Sequence, residues 1–222
     1  MKNFKVGVII PDRGDRPDFM YHCSRMIKYQ TLQPIAIEHV NDAPISDKKD
    51  ITWRYRLGYE RLRGLGLDVI AFMENDDWYS PQYLELMVNE WHNSGRPKLF
   101  GTIYTIYFNI RIWKSLTMWH QDRASAMNTL ITPDMNFQWC RDDESFTDMY
   151  LWRLFYDKQE AKVWLPPMHI AVGIKHGVGL TGGQMHLDRL DRFDVHREMD
   201  FNVHLEKMVD DETLNFYKSF RQ

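Results

Sequence analysis

The sequence contains little cysteine, no long apolar run and no excess of charge of one sign. Only two cysteines, Cys23 and Cys140, occur among 222 residues, which excludes a disulfide scaffold and fits a reducing compartment. The apolar stretch near the N-terminus is too short for a signal peptide, and no segment has the length of a membrane span. Acidic and basic side chains, 31 and 28 in number, are interspersed, so no global basic surface points to nucleic acid. We therefore expect a cytoplasmic protein without a membrane span.

The first hundred residues alternate short apolar runs with helical patterns. The runs at 6–10, 34–40 and 67–73 predict buried strands, and apolar residues recur at helical spacing after Pro17, Trp53 and Pro81. A βαβαβα order predicts a mostly parallel sheet flanked by helices, with its site at the carboxyl ends of the strands. The sequence therefore predicts an α/β protein.

The second half of the chain is less regular. The segments 99–108, 125–131, 162–165 and 168–174 predict strands, and 148–156 predicts a helix. We expect one domain over 1–222, with a nucleotide-sugar-binding half at about 1–100, an acceptor-binding half at about 101–186 and a charged tail at 187–222. In that tail, Leu187, Leu190 and Phe193 form a possible docking stripe.

An acidic cluster directly follows the third predicted strand. Glu74, Asp76 and Asp77 stand within four residues of one another, between Met73 and Trp78. Like charges this close repel unless a cation or hydrogen-bond donors offset them, and carboxylate oxygens are preferred ligands of Mg²⁺ and Mn²⁺. An acidic turn that caps the helix beginning near Pro81 is the other interpretation of the same residues.

Two segments resemble the family 2 glycosyltransferases. DVIAFMENDDWYSPQYLELMV is similar to their metal-binding stretch, and VGVIIPDRGDRPDFMYHCSRMIKYQTLQPIAIEHVNDAP is similar to their first βαβ unit. The resemblance covers about the first 100 residues. It implies a GT-A fold with a Rossmann-like sheet. It also implies an inverting glycosyltransferase (hexosyltransferase type) that uses a nucleoside-diphosphate sugar, a UDP-sugar, with a divalent cation, Mn²⁺ or Mg²⁺.

The resemblance also assigns roles to individual residues. It places the metal on Asp76 and Asp77 and on Glu74, where the family more often has Asp. Donor contacts are assigned to Pro11, Asp12, Arg13, Arg16, Asp42, Arg54, Arg56 and Asn75. From the residues alone, Asp42 is equally typical of a turn. Arg54 and Arg56 are equally typical of a solvated helix face.

A second acidic group precedes the predicted helix at 148–156. In the resembling family, an acidic residue at such a helix start is the general base, which makes Asp148 the first candidate. Asp143 and Glu144 form an alternative pair, and the sequence does not decide between them. A carboxylate near a helix amino end stays ionised at neutral pH, as a base requires. The alternative is purely structural, with Ser145 or Thr147 as the helix cap.

A late histidine follows the last predicted strand. His176 begins a glycine-rich loop, and relatives often have a histidine there beside the diphosphate or metal; His169 and His186 are rivals, and a structural role is the other interpretation. The glycines of this loop suit a lid over the donor: Gly177, Gly179, Gly182 and Gly183.

The acceptor stays open at this stage. A glycan, a small molecule or a hydroxymethylated DNA base is each a conceivable hydroxyl acceptor. Scattered aromatic and basic residues would suit a flipped base, as in a viral-type DNA glycosyltransferase: Tyr104, Tyr107, Arg111, Trp113, Lys114, Trp119 and Arg123. Two other classes compete, a sugar-phosphate nucleotidyltransferase and a non-catalytic nucleotide-sugar binding module. The first would need a glycine-rich phosphate loop after strand one, where PDRGDRPD has a single glycine.

Overall fold

A six-stranded sheet lies at the centre of the computed structural model, which describes residues 3–45, 49–155, 157–178 and 203–221. Ten strands occur in the described ranges: β1 Val6–Pro11, β2 Ala36–Val40, β3 Val69–Phe72, β4 Trp78–Tyr79, β5 Leu99–Thr102, β6 Tyr104–Asn109, β7 Lys114–Trp119, β8 Thr129–Ile131, β9 Ala161–Trp164 and β10 Ala171–Lys175. The central sheet has the order β2-β1-β3-β8-β5-β9. Only β8 runs against the others, because it pairs antiparallel with β3 and β5. The predicted mostly parallel sheet is confirmed.

Helices cover both faces of this sheet. The described helices are α1 Pro17–Lys28, α2 Ile51–Leu62, α3 Tyr83–Asn93, α4 Thr147–Leu154 and α5 Asp211–Lys218. On one face α1 and α3 pack against β1 and β3 through residues such as Cys23 and Trp91. On the other face α2 and α4 pack through residues such as Tyr59 and Trp152. Both faces of each central strand are therefore buried, which explains the continuous apolar runs of the sequence.

A second sheet of four strands, in the order β4-β10-β6-β7, lies beside the first. Its buried side chains form a third core with Phe19 of α1 and Tyr217 of α5. Asp210 caps α5 by accepting a hydrogen bond from the backbone N of Thr213, at 2.8 Å. The two sheets meet where β3 ends and β4 begins, and this junction contains the acidic cluster.

The structure corrects the sequence predictions in the second half. The run 99–108 is two strands in different sheets, β5 and β6, separated at Ile103. It contains no proline or charged residue, so the pattern gave no sign of the break. The predicted strand 125–131 begins with a 3₁₀ turn, Ala126–Asn128, before β8. Strands β4 and β7 were not predicted.

In the described part of the chain the longest helices, α1 and α2, have 12 residues each, too short for a membrane crossing. The possible docking stripe of Leu187, Leu190 and Phe193 lies outside the described residues. The single domain over 1–222 stays a prediction.

Candidate active site

The acidic cluster lies in the loop between β3 and β4. Oxygen atoms of Glu74, Asp76 and Asp77 all lie within 4.8 Å of one another. Tyr55 of α2 donates a hydrogen bond to Glu74 Oε1 at 3.2 Å. Burial, followed by repulsion from Asp76, raises the pKa of Glu74 to about 7. The local sequence thus brings together three carboxyl groups that repel one another when all are ionised.

Asp77 points inward from this loop. Its Oδ1 accepts a hydrogen bond from the backbone N of Ile174 in β10, at 2.9 Å. Its Oδ2 is buried and has no hydrogen-bond partner among the described residues. Burial, together with the charges of Asp76 and Glu74, raises the pKa of Asp77 well above its usual range. Asp77 therefore holds the loop after β3 to β10 of the second sheet and keeps one oxygen without a hydrogen-bond partner among the described residues.

Asp76 contacts Arg16 and His176, two side chains from distant parts of the sequence. Its Oδ2 accepts from the guanidinium of Arg16 and lies 2.9 Å from His176 Nε2. Burial opposes ionisation of Asp76, but Arg16 and His176 outweigh it and hold its pKa below the usual range. The backbone N of Val178 donates to His176 Nδ1 at 3.0 Å, so the imidazole proton is on Nε2 and is donated to Asp76. In this tautomer His176 offers no lone pair toward the cluster.

One cavity of about 580 Å³ contains this cluster in its wall. Its charged and polar lining consists of Arg16, Lys49, Glu74, Asn75, Asp76, Asp77, Arg123, Ser125, Ser145, Thr147, Asp148, Lys175 and His176. A smaller cavity of about 50 Å³ shares Pro11, Arg16, Lys49 and Ile51 with it and is also lined by Arg13 and Arg54. Acidic and basic groups thus converge on one connected space, as in a site for an anionic small molecule.

Asp148 lies in the first turn of α4 and lines the same cavity. Its Oδ2 accepts from Arg123 at 2.8 Å. Burial raises the pKa of Asp148, although Arg123 opposes the shift. The two alternative bases are placed differently: Asp143 pairs with the exposed Arg141, and Glu144 accepts from the backbone of its own loop. Neither contributes to the lining of the described cavities.

The predicted donor-binding residues divide into two groups. Pro11, Arg13, Arg16, Arg54 and Asn75 line one or both cavities. Asp12 lines neither cavity and is buried. Its Oδ1 accepts hydrogen bonds from Asn75 Nδ2 and from the backbone N of Gly14, both at 2.9 Å. Its Oδ2 lies 2.7 Å from His39 Nε2, so Asp12 links three segments of the chain.

Asp42 and Arg56 lie away from both cavities. The carboxylate of Asp42 forms a two-pronged pair with Arg61, with N to O distances of 2.9 and 2.8 Å. Arg56 pairs in the same way with Asp142. The structure therefore places Asp42 in the segment after β2, paired with Arg61 of α2 and outside the cavity lining.

Of the late histidines, only His176 lines the cavity among the described residues. His169 lies 3.2 Å from the hydroxyl of Tyr104, away from the acidic cluster. Gly177 has a positive φ of 75°, which glycine adopts without strain. His186 and the other proposed lid glycines, Gly179, Gly182 and Gly183, lie outside the described residues.

Lys175, the last residue of β10, lines the cavity and was not predicted as a site residue. Its Nζ lies 4.7 Å from the centre of the Tyr107 ring, and its charge opposes the burial and carboxylate repulsion that raise the pKa values of Glu74 and Asp77. No hydrogen bond of this ammonium to a described residue exists. Its position directly before His176, at the end of an apolar run, was the available signal.

Comparison with known proteins agrees with this architecture. The structure matches that of S. aureus TarS, a glycosyltransferase, with a TM-score of 0.52 and 9% sequence identity. The fold is GT-A-like. The match covers 91% of this chain and 46% of TarS, so the chain spans about half the length of that protein. No protein-family model matches the sequence, and no curated protein matches it. At this identity the likeness shows the fold alone.

The raised pKa of Glu74 predicts a pH-dependent stability difference for Glu74→Gln in the presence of a chelator. The folded state holds the Glu74 proton up to a pKa of about 7, above the ordinary value of 4.5. Between these values the unfolded state ionises first, so wild-type stability falls with rising pH, whereas Gln is always neutral. At pH 4.5 we expect the wild type and Glu74→Gln to have similar melting temperatures. At pH 8 the melting temperature of the variant should be higher than that of the wild type by about 5 °C.

Glu60→Gln provides the matched control, because Glu60 is an exposed residue that pairs with Arg63 on the same helix. We expect its melting temperature to follow that of the wild type at both pH values. A Glu74→Gln variant with the wild-type pH dependence would contradict the assignment of a buried, proton-binding Glu74.

Proposed function

We propose that this protein is a metal-dependent glycosyltransferase that transfers a sugar from a nucleoside-diphosphate sugar, a UDP-sugar, to a hydroxyl acceptor with inversion. One observation carries the proposal. The acidic cluster lies in the loop between β3 and β4, and Asp148 lies in α4, yet both line a single cavity. Asp148 and the three carboxyl groups of the cluster thus face the same space. Such a space would hold a diphosphate and an acceptor hydroxyl beside each other.

The residues present fit a hard divalent cation. Glu74, Asp76 and Asp77 supply oxygen ligands within 4.8 Å of one another. Asp77 Oδ2 and Asn75 Oδ1 are buried without hydrogen-bond partners among the described residues, which is costly unless a ligand satisfies them. When bound, Mn²⁺ or Mg²⁺ would offset the negative charge of the leaving diphosphate. His176 is better suited to orient Asp76 than to hold the ion, because its Nε2 carries the proton.

Basic side chains supply the remaining charge for a diphosphate. Arg16, Lys49 and Lys175 all line the cavity near the acidic cluster. Lys175 is well suited to a ligand, since its ammonium makes no hydrogen bond to a described residue. Arg13 lines the smaller adjoining cavity, which we assign to the nucleoside. Preorganised cations around a leaving group stabilise the charge that develops in the transition state.

Asp148 is the proposed general base. It lies in a helix first turn, where the helix dipole favours a carboxylate, and Arg123 holds it in place. A base on the cavity wall must reach the acceptor hydroxyl while the sugar carbon faces the diphosphate. Attack from the side opposite the leaving group inverts the anomeric carbon.

Calorimetry with UDP-sugars and other nucleoside-diphosphate sugars, in Mn²⁺ and in chelator, tests the proposal. We expect the donor to bind at least about 10-fold more tightly with Mn²⁺, because the cation offsets repulsion between the diphosphate and the three carboxylates. Release of nucleoside diphosphate should accompany binding only in the presence of metal. Equal affinity in both conditions would refute metal dependence, and absence of binding to every donor would refute the function.

A further inference from the structure

The second sheet presents one face to the cavity. Tyr107 of β6 lies directly opposite Leu116 of β7, and Gly173 of β10 is beside Tyr107 on the other side. Because alternate residues of a strand share a face, Met118 lies on the same face as Leu116. Tyr107, Leu116 and Met118 all line the cavity. This face forms an apolar floor on one side of the cavity.

Gly173 allows this floor to be flat. A Cβ atom at this position would lie 2.6 Å from the ring of Tyr107 and 3.2 Å from the sulfur of Met127. Any side chain there would displace the Tyr107 ring, so glycine permits the ring to lie against the strand. From the opposite wall, Phe146 and Met149 of the α4 region also line the cavity.

Several polar groups near Asp148 already have hydrogen-bond partners within the protein. Thr105 donates to the hydroxyl of Ser125 at 2.7 Å, and Arg123 is paired with Asp148. The other hydroxyls of the described lining are those of Tyr107, Ser145 and Thr147. A polyhydroxylated acceptor would lose the hydrogen bonds of its hydroxyls to water and regain few, which opposes binding.

We infer that the acceptor is an alcohol whose hydroxyl lies on, or one carbon from, a planar ring that packs against this floor through its face. The inference rests on the proposed function. Flexible methionines make favourable contacts with ring edges, and three of them, Met118, Met127 and Met149, surround this space. Tyr107 offers a flat ring beside the Lys175 ammonium, which lies 4.7 Å from the ring centre.

The transfer balances with the residues present. The acceptor oxygen forms a bond to the anomeric carbon while the bond from that carbon to the diphosphate oxygen breaks. The electron pair of the broken bond leaves with the diphosphate, and the hydroxyl proton goes to the carboxylate of Asp148. The ring body rests on the apolar floor, which leaves its hydroxyl directed at Asp148.

The test compares acceptors in the presence of a donor that calorimetry has shown to bind. Benzyl alcohol and a 5-hydroxymethylpyrimidine nucleoside serve as ring alcohols, and glucose and cellobiose as polyhydroxylated alcohols. We expect kcat/KM for at least one ring alcohol to exceed that for both sugars by about 10-fold or more, since the apolar floor favours apolar ring surface. The ring alcohol with the higher kcat/KM shows whether the ring of the acceptor is a simple arene or a nucleic-acid base. Higher kcat/KM for a sugar would overturn the inference.

Met118→Gln changes the polarity of the floor with little change of shape. We expect it to lower kcat/KM for the ring alcohol by about 10-fold. Donor affinity, measured by calorimetry, should stay at the wild-type value if the variant is folded. Met149→Gln serves as a second variant from the opposite wall if the first does not fold. Met168→Gln, at a side chain that is 49% exposed and outside the cavity lining, should transfer as the wild type does.

These outcomes separate the two proposals. If Met118→Gln and Met149→Gln both bind the donor normally and keep the wild-type value of kcat/KM for ring alcohols, the acceptor assignment is overturned and the proposed function stays intact. Absence of donor binding in the wild-type protein would overturn both.

Discussion

An Asp148→Asn variant should bind the donor as the wild type does but transfer the sugar about 10² to 10⁴ times more slowly. The amide has nearly the same shape and still accepts a hydrogen bond from Arg123, which lies 2.8 Å from the carboxylate in the wild type. It does not accept the acceptor proton, so only the chemical step is affected. Calorimetry gives the donor affinity, and nucleoside-diphosphate release in the presence of acceptor gives the rate.

Asp143→Asn is the matched control for this variant. Its carboxylate pairs with Arg141, which is 83% exposed, and lies outside the cavity lining. We expect its transfer rate to lie within about twofold of the wild type, since surface pairs contribute little. Normal transfer by Asp148→Asn, combined with loss of transfer in Asp143→Asn or Glu144→Gln, would reassign the base.

Asp76→Asn is expected to remove the metal-dependent part of donor affinity, a loss on the order of 100-fold. Asp76 has the most strongly stabilised negative charge of the cluster, because Arg16 and His176 both contact its Oδ2. The variant also leaves the Arg16 guanidinium without this carboxylate. Donor affinity in chelator should therefore be kept or increased, since Arg16 is then released to meet the diphosphate.

Asp68→Asn is the control at the other end of the same strand. Asp68 accepts from the backbone N of Lys5 at 2.8 Å and lies before β3, far along the strand from the cluster. Its donor affinity should respond to Mn²⁺ as that of the wild type does. A Mn²⁺ response retained by Asp76→Asn would contradict the assignment of this carboxylate to the metal.

The sequence predicted the first half of the fold because its signals are local. Each apolar run there ends at proline, glycine or an acidic turn, and each strand is followed by a helical pattern. The second half contains the run 99–108, in which β5 and β6 are separated only by Ile103. Its change of sheet depends on tertiary contacts, such as the bond from the backbone N of Ile103 to the carbonyl of Trp164. Composition gives no sign of such a contact.

The candidate site shows the same division. Glu74, Asp76 and Asp77 are neighbours in sequence, so their proximity needed no knowledge of the fold. Arg16 and His176 reach Asp76 from 60 and 100 residues away, which only the sheet order determines. The distinction between Asp148 and its two rivals likewise depends on the fold, because the first turn of α4 lies on the cavity wall, whereas Asp143 and Glu144 in the preceding loop do not line it. Lys175 was missed because an amine in a strand has no characteristic spacing.

The buried Arg54 has a consequence for how a nucleotide would be received. Its side chain is 1% exposed and donates to the carbonyl oxygens of Asp12, Val40 and Asp42, at 2.7, 2.8 and 3.1 Å. These three carbonyls belong to the ends of β1 and β2, whose loops would otherwise be free to move. Ordering a flexible loop at the moment of association weakens affinity. Because the Arg54 guanidinium holds both loops in place beforehand, a nucleotide bound beside them would not incur that entropic cost.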